Sequence, residues 1–343
     1  MESIIVTGNL GYIGIILTQD LLNEGYKVIG MDTDYYRDKK LIQFNIPKDI
    51  LQLKKDIRHA TIEDFHNVDA VIHLAALSND PLGKINPELT NDINYLSSLR
   101  LAEMAKKANV SRFLFSSSCS IYGHTENKKL NENSPMKPLS AYAHSKVNLE
   151  NALSKLADDK FSPVYLRNGT AYGISPNMRF DLVVNNLTGW GYTTKEIKIL
   201  SDGRAWRPIV HIKDISNAFT AALKAPKEII HNEAFNVGVN SENYQVKSMA
   251  DEIHNQMKDC EVKILGENNP DQRDYNVNFD KIKEKLNDFK PQWTLKKGVK
   301  ELIEIFEEIN FDYEMFQNKN YTRLNQLKYL LENDKLDENL YWK

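Results

Sequence analysis

The sequence predicts an α/β protein, a doubly wound parallel sheet followed by a smaller C-terminal unit interleaved with it. Three observations predict this. Apolar runs of buried-strand length recur at Ser3–Val6, Lys27–Met31, Ala70–Leu74, Arg112–Ser116 and Ser162–Leu166. Helical patterns separate them, at Ile13–Asn23, Asn91–Lys107 and Ala141–Ala157. Three glycines at three-residue spacing, Gly8, Gly11 and Gly14, stand where the first strand hands over to the first helix. Uninterrupted apolar strands alternating with helices indicate a parallel sheet covered on both faces, and the doubly wound arrangement is its commonest open form.

Composition bounds the function classes. The chain has 343 residues, which suits one large α/β unit or two domains. Hydrophobic residues are 41% and charged residues 27%, an ordinary globular balance. The net charge of −3 gives no nucleic-acid footprint and no membrane-surface patch. Two cysteines, Cys119 and Cys260, are too few for a disulfide framework and point to a reducing compartment. No apolar run reaches the roughly 20 residues that span a bilayer. The expectation is a cytoplasmic protein with no membrane or nucleic-acid partner and no metal.

The first strand and helix carry the glycines. Glycine lets the backbone turn tightly and approach a ligand closely, because no Cβ intervenes. Free N–H groups and the dipole at a helix start attract phosphate. Gly8 and Gly11 would make the turn and the phosphate approach, with Tyr12 and Ile13 beside it, and Gly14 would let the helix lie close to the strand. The second strand, YKVIGMD, ends on Asp32, 18 residues after Gly14. A carboxylate there can hold both ribose hydroxyls and repel a 2′-phosphate, which favours NAD over NADP. Its alternative is a solvated strand-end acid. A third short segment precedes Asp56 and Ile57, where an acid could meet an adenine amine. The strand Arg112–Ser116 runs into a serine-rich end. On the following helix Tyr142 and Lys146 are spaced i, i+4 and project from one face. Past Gly169 the pattern loosens. Ile209–Leu223 resumes a strand-to-helix reading, Ala234–Val237 reads as another strand, and Leu302–Lys343 as a charged helical tail. The division expected is a nucleotide-binding domain over 1–168, with 209–238 returning to it, and a substrate-binding domain from 169–208 and 239–343.

TGNLGYIG, KKDIR, VIHLAALS, NDINYLSSLRLAEMA, FLFSSSCSIYG and SAYAHSKVNLE occur in that order over about residues 1–280. As a set they resemble the extended short-chain dehydrogenase/reductase family, and within it the NAD-dependent nucleotide-sugar epimerases and dehydratases. The resemblance implies a Rossmann-type fold, NAD as cofactor and a nucleotide-sugar substrate. It implies Tyr142 as the base at a sugar hydroxyl. A free tyrosine has a pKa near ~10, and neighbouring positive charge would favour its phenolate. Lys146 would supply that charge and hold the nicotinamide ribose, and Ser118 would hydrogen-bond the reacting oxygen. Leu74, Ala75 and Ala76 would pass the cofactor through their backbone, and Asn94 would tether backbone beside it. Ser78 and Asn79 begin the substrate loop. Cys119 is a buried small residue or a minor substrate contact, with Ser120 beside it. Asn168, Tyr172 and Asn185 fall in segments around the sugar and its pyrophosphate. Arg207 and Arg273 suit a diphosphate through their planar forks. Two helices of such proteins pair with their copies, which implies a homodimer through Asn91–Lys107 and Ala141–Ala157. Leu96, Leu99, Met104, Val147, Leu149 and Leu153 are the apolar residues expected there.

One departure bears on the reaction. Relatives that remove water across carbons 5 and 6 carry an Asp-Glu pair directly after the position of Ser118. Here Cys119 and Ser120 stand there. The reading is therefore an NAD-dependent epimerase working through a transient keto sugar at carbon 4. Its rivals are a net oxidoreductase on a nucleotide sugar and a non-catalytic dinucleotide sensor. Nucleotide and sugar stay open.

Overall fold

The computed structural model describes residues 2–38, 40–78, 86–266 and 273–343. Its centre is a seven-stranded sheet built from β1 (Ser3–Thr7), β2 (Lys27–Asp32), β3 (Leu51–Lys54), β4 (Ala70–His73), β5 (Arg112–Ser118), β7 (Ser162–Asn168) and β11 (Glu233–Val237). The order is β11-β7-β5-β4-β1-β2-β3, and every neighbouring pair is parallel. The order reverses between β1 and β4, which opens a crevice at the carboxyl ends of the strands. Alternate residues serve opposite faces. Ile4, Val6, Val28 and Leu114 bury one side, and Ile5, Met31, Val71 and Phe113 the other. This is the doubly wound fold that the apolar runs predict.

The remaining strands are short. β8 (Thr170–Tyr172), β10 (Trp206–His211) and β12 (Asn243–Gln245) form one sheet; β9 (Glu196–Ile199) pairs with β13 (Glu261–Ile264), and β6 (His124–Leu130) with β14 (Asp274–Val277). A third core gathers Met178, Phe180, Ile197, Ile253, Leu302, Phe306 and Phe316. Phe180 sits at its centre, with ring centroids of Phe311 and Phe316 at 5.3 and 5.1 Å.

Three expectations change. The helix read over Asn91–Lys107 is composite: Pro87–Asn91, a π turn over Asp92–Ser97, then Ser98–Lys107. The wider turn accompanies the inward placement of Asn94. The strand in Ile209–Leu223 pairs with β8 and β12 outside the central sheet, while the helix after it, Ile212–Lys224, packs back on that sheet's core. The tail after residue 322 touches the 169–208 segment through Arg323, at Asn177 and Met178, but its apolar residues turn elsewhere. Leu327, Leu330, Leu336 and Leu340 share a buried core with Ile29, Met31 and Phe65 on one face of the central sheet. A helix of only 10 residues, Arg323–Glu332, is marginal alone in water and needs such a surface.

Candidate active site

The glycine turn begins at a backbone only glycine takes easily. Gly8 has φ +74°, and a Cβ there would lie 2.9 Å from Ala75 N. A Cβ on Gly14 would lie 2.0 Å from Gly8 O, so the helix Gly14–Asn23 can start here only without a side chain. Gly11 differs. Its Cβ would meet only Gly8 O, at 3.1 Å, and its open side faces a cleft of about 990 Å³. That is the shape a phosphate needs beside a helix start.

Asp32, Thr33, Asp56 and Ile57 line the same cleft. Asp32 closes β2 and accepts from Leu10 N at 3.0 Å and from Asp34 N at 2.7 Å. Burial raises its pKa, and these two N–H donors oppose the shift. Asp56 is more committed than expected. It caps the next turn through Arg58 N (2.8 Å) and pairs with the Arg58 guanidinium (2.8 Å), so an adenine amine would share an already used carboxylate. Leu74, Ala75 and Ala76 border the cleft at the end of β4. Thr7 Oγ1 supports them, accepting from Ala75 N (3.3 Å) and bonding His73 Nδ1 (2.7 Å). Asn94 lies outside the cleft lining. Its amide accepts from Leu77 N (2.8 Å) and donates to Leu77 O (3.1 Å), so it holds the strand-end loop and does not itself face a cofactor. Both of its polar ends are used by that backbone.

Ser118, Tyr142 and Lys146 all line the cleft. Ser118 ends β5, and its Oγ accepts from Ser120 N (3.1 Å). Ser140 caps the helix Ala141–Leu156, accepting from Ala143 N at 3.2 Å, which fixes Tyr142 at the first turn. Lys146, one turn on, is 3% exposed. Its Nζ donates to Ser116 O at 2.7 Å and lies 5.5 Å from the centroid of the Tyr142 ring. Burial pulls the Lys146 pKa down to about 7, with Glu150 opposing the shift. Glu150 is held behind the site by Arg167 (2.7 Å) and accepts from Ser117 Oγ.

Asn168 stands opposite Ser118 on β7 and donates to Ser116 Oγ at 3.0 Å. Asn168 Oδ1 and Ser120 Oγ are buried and without a hydrogen-bond partner among the described residues, and both residues line the cleft. Arg207 and Arg273 line the cleft's other end, Arg207 donating to the carbonyls of Trp206 (2.8 Å) and Arg273. Ser78 lines it too, and Asn79 lies outside the described residues.

Asn185 and Tyr172 differ from expectation, and Cys119 takes the buried one of its two readings. Cys119 points into the core, its thiol donating to Arg167 O (3.1 Å), and burial raises its pKa. Cys119 opens the 3-10 turn Cys119–Tyr122 that follows β5, and there Ser118 and Ser120 border the cleft while Cys119 does not. Asn185 also turns inward, accepting from Gly173 N (3.0 Å) and donating to Tyr12 OH (2.9 Å). Its neighbour Asn186 is the one at the cleft. Tyr172 is buried against His211, outside the lining.

The sequence reading missed Tyr36, Arg179 and Arg323, which also line the cleft. Arg179 forks onto Asp181 (3.0 and 2.9 Å) and donates to Ser78 Oγ (3.1 Å). Its signal was the charge in NMRFD beside the candidate Asn185. Arg323 had no local signal, since folding alone brings it to residues nearly the whole chain away.

Among the described residues no group of His, Cys, Asp and Glu is arranged to hold a metal, and no helix is long and apolar enough to cross a membrane. Residues 4–238 match the model of the NAD dependent epimerase/dehydratase family. The chain is similar to a putative UDP-glucose 4-epimerase of Methanocaldococcus jannaschii, 28% identical over 88% of this chain and 97% of the relative. It is also similar to the dTDP-D-glucose 4,6-dehydratase of Bos taurus, 25% identical over 90% of this chain and 89% of the relative. Among solved structures, a UDP-N-acetylglucosamine 4-epimerase from Methanobrevibacter ruminantium superposes with a TM-score of 0.78 at 25% identity, covering 90% of this chain and 98% of that one.

Proposed function

The chain belongs to the NAD dependent epimerase/dehydratase family, with NAD as its cofactor, and on that premise we propose that it is a nucleotide-sugar epimerase acting through a transient keto sugar at carbon 4. The carrying observation is the reacting end of the cleft. Around Ser118, Tyr142 and Lys146 the lining is Ser116, Ser117, Ser120, Ser140, Asn168 and Thr170, all neutral. A 4,6-dehydratase needs an acid and a base at a second carbon, and positions 119 and 120 supply neither.

The residues fit NAD. The open side of Gly11 leaves room for phosphate, Asp32 faces the cleft beside Thr33, and Lys146 stands at the turn where β5 ends. When bound, NAD would supply the hydride acceptor and donor for the carbinol carbon, held by the Gly11 turn, Asp32 and Lys146. Tyr142 accepts the hydroxyl proton, and the Lys146 charge beside its ring favours the phenolate. Ser118 holds the reacting oxygen through its Oγ. After oxidation the same tyrosine carries the proton that the returning alkoxide needs. Arg207, Arg273 and Asn186 hold the diphosphate, and the neutral lining lets the sugar ring turn.

The test is product mass. Purified protein given UDP-, GDP-, CDP- and dTDP-sugars without added cofactor should form a stereoisomer of equal mass, with no solvent deuterium at the sugar carbons. A keto product two mass units lighter with stoichiometric NADH would replace this reading with a net oxidoreductase. Loss of water would replace it with a dehydratase.

A further inference from the structure

The tail after residue 322 forms a strap across the loops that follow β2 and β3. Trp342 Nε1 donates to Thr33 O at 2.7 Å, and Tyr35 OH donates to Leu340 O. Arg58 donates to Asn339 O at 2.7 Å and lies 3.7 Å from the centroid of Tyr341. Gln326 donates to Tyr35 O at 3.2 Å. These contacts join the loop after Asp32 to the turn at Asp56, the two sides of the cleft's adenosine end.

At the start of the strap stands Arg323. It is 3% exposed and lines the cleft. Its guanidinium donates to Asn177 Oδ1 (3.2 Å) and Asn177 O (3.0 Å) and packs 4.0 Å from the Tyr36 ring centroid. Asn177 in turn donates to Leu10 O at 2.7 Å, so the guanidinium is one side chain away from the glycine turn. The acceptors of Arg323 are all neutral among the described residues. Its neighbour Arg179 is already forked onto Asp181. A buried guanidinium with neutral partners is costly, and burial pulls this one down to about 10. An anion at the same end of the cleft offsets that cost.

We propose that Arg323 is a cofactor-binding residue that grips the pyrophosphate of the dinucleotide, and that the strap delivering it closes the adenosine end of the cleft. The glycine turn presents backbone N–H groups to one side of a diphosphate, and Arg323 supplies a planar, always charged fork from the other. An epimerase must keep its cofactor through oxidation and return, and a grip from both sides serves that need. The inference rests on NAD occupying this cleft.

The probes are ADP, adenosine and UDP, titrated onto nucleotide-stripped full-length enzyme and followed by ligand-observed NMR and calorimetry. Arg323→Ala should weaken ADP by about tenfold or more, the usual scale for a lost charge-assisted contact, and leave adenosine unchanged. Arg323→Lys, which keeps the charge and is the variant to rely on if the alanine form does not fold, should lose less. Unchanged ADP binding overturns the inference. So does a parallel fall for adenosine, which would make the residue structural, or a larger fall for UDP, which would place it on the substrate's diphosphate. If wild-type protein binds neither ADP nor NAD, the cofactor reading fails first; if it binds both and the variants match it, only this inference fails.

Discussion

Tyr142 and Lys146 sit one helical turn apart because the helix is capped at Ser140, and that single cap sets both side chains at the cleft. Removing the phenol oxygen removes the group assigned to the proton. Tyr142→Phe should therefore lose at least ~10²-fold in turnover, the usual scale for a positioned acid or base, while NAD binding measured by fluorescence quenching stays within a few-fold. Near-normal turnover would move the base elsewhere. The glycines separate shape from binding in the same way. Gly14→Ala drives a Cβ into Gly8 O and Asn9 and should cost about 1–3 kcal/mol or more, read as a lower melting temperature. Gly11→Ala meets only Gly8 O and should melt almost normally, yet lose cofactor, because its methyl fills the open side of the turn. Equal stability losses in the two variants would contradict that division.

Helices Ser98–Lys107 and Ala141–Leu156 pack side by side with one face outward. Of the apolar residues that the sequence offers there, Leu149 and Leu153 are fully buried in the core, and Met104 packs partly against it. What remains outside is Leu96, half exposed, and a groove lined by Tyr95, Leu99, Asn148, Ala152 and Leu156. A mixed apolar and amide face of this kind suits a second copy of the same two helices. We expect a dimer by light scattering at micromolar concentration, and Leu99→Glu should shift the mass toward the monomer while leaving the fold intact by circular dichroism. A wild-type monomer mass would remove the bundle from consideration.

The whole molecule carries a buried cation at its centre, and this has a sign in pH. Lys146 is nearly fully buried, with a folded pKa near 7 against an ordinary value of 10.5. Below pH 7 it is charged in both folded and unfolded chains, and the full burial cost is present. From pH 7 to about 10.5 the folded protein sheds a proton that the unfolded chain keeps, so this group's contribution to stability rises with pH. Lys146→Met has no such group. The melting temperature of the variant minus that of the wild type, both nucleotide-free, should therefore fall steadily from pH 6.5 to 9. A flat difference would show that Lys146 does not titrate in this range.

The apolar strand runs, the glycine turn, the place of Asp32 at the end of β2 and the i, i+4 spacing of Tyr142 and Lys146 were legible in the sequence because each depends on local spacing: period 2 in a strand, 3.6 in a helix, three residues in a turn; Ser118 came from the family resemblance. The family followed from the order of those segments. Tertiary structure decided what local spacing does not encode. It turned Asn185 inward and left Asn186 at the cleft, since one step along a helix start changes which side a side chain faces. It set Asn94 to hold Leu77 through a π turn that no sequence period announces. It also carried the C-terminal strap back across the nucleotide-binding domain, placing Arg323 against Tyr36 and Asn177. The tail's apolar residues needed a surface to cover, and the exposed flank beside β2 and β3 was available only once the sheet had formed.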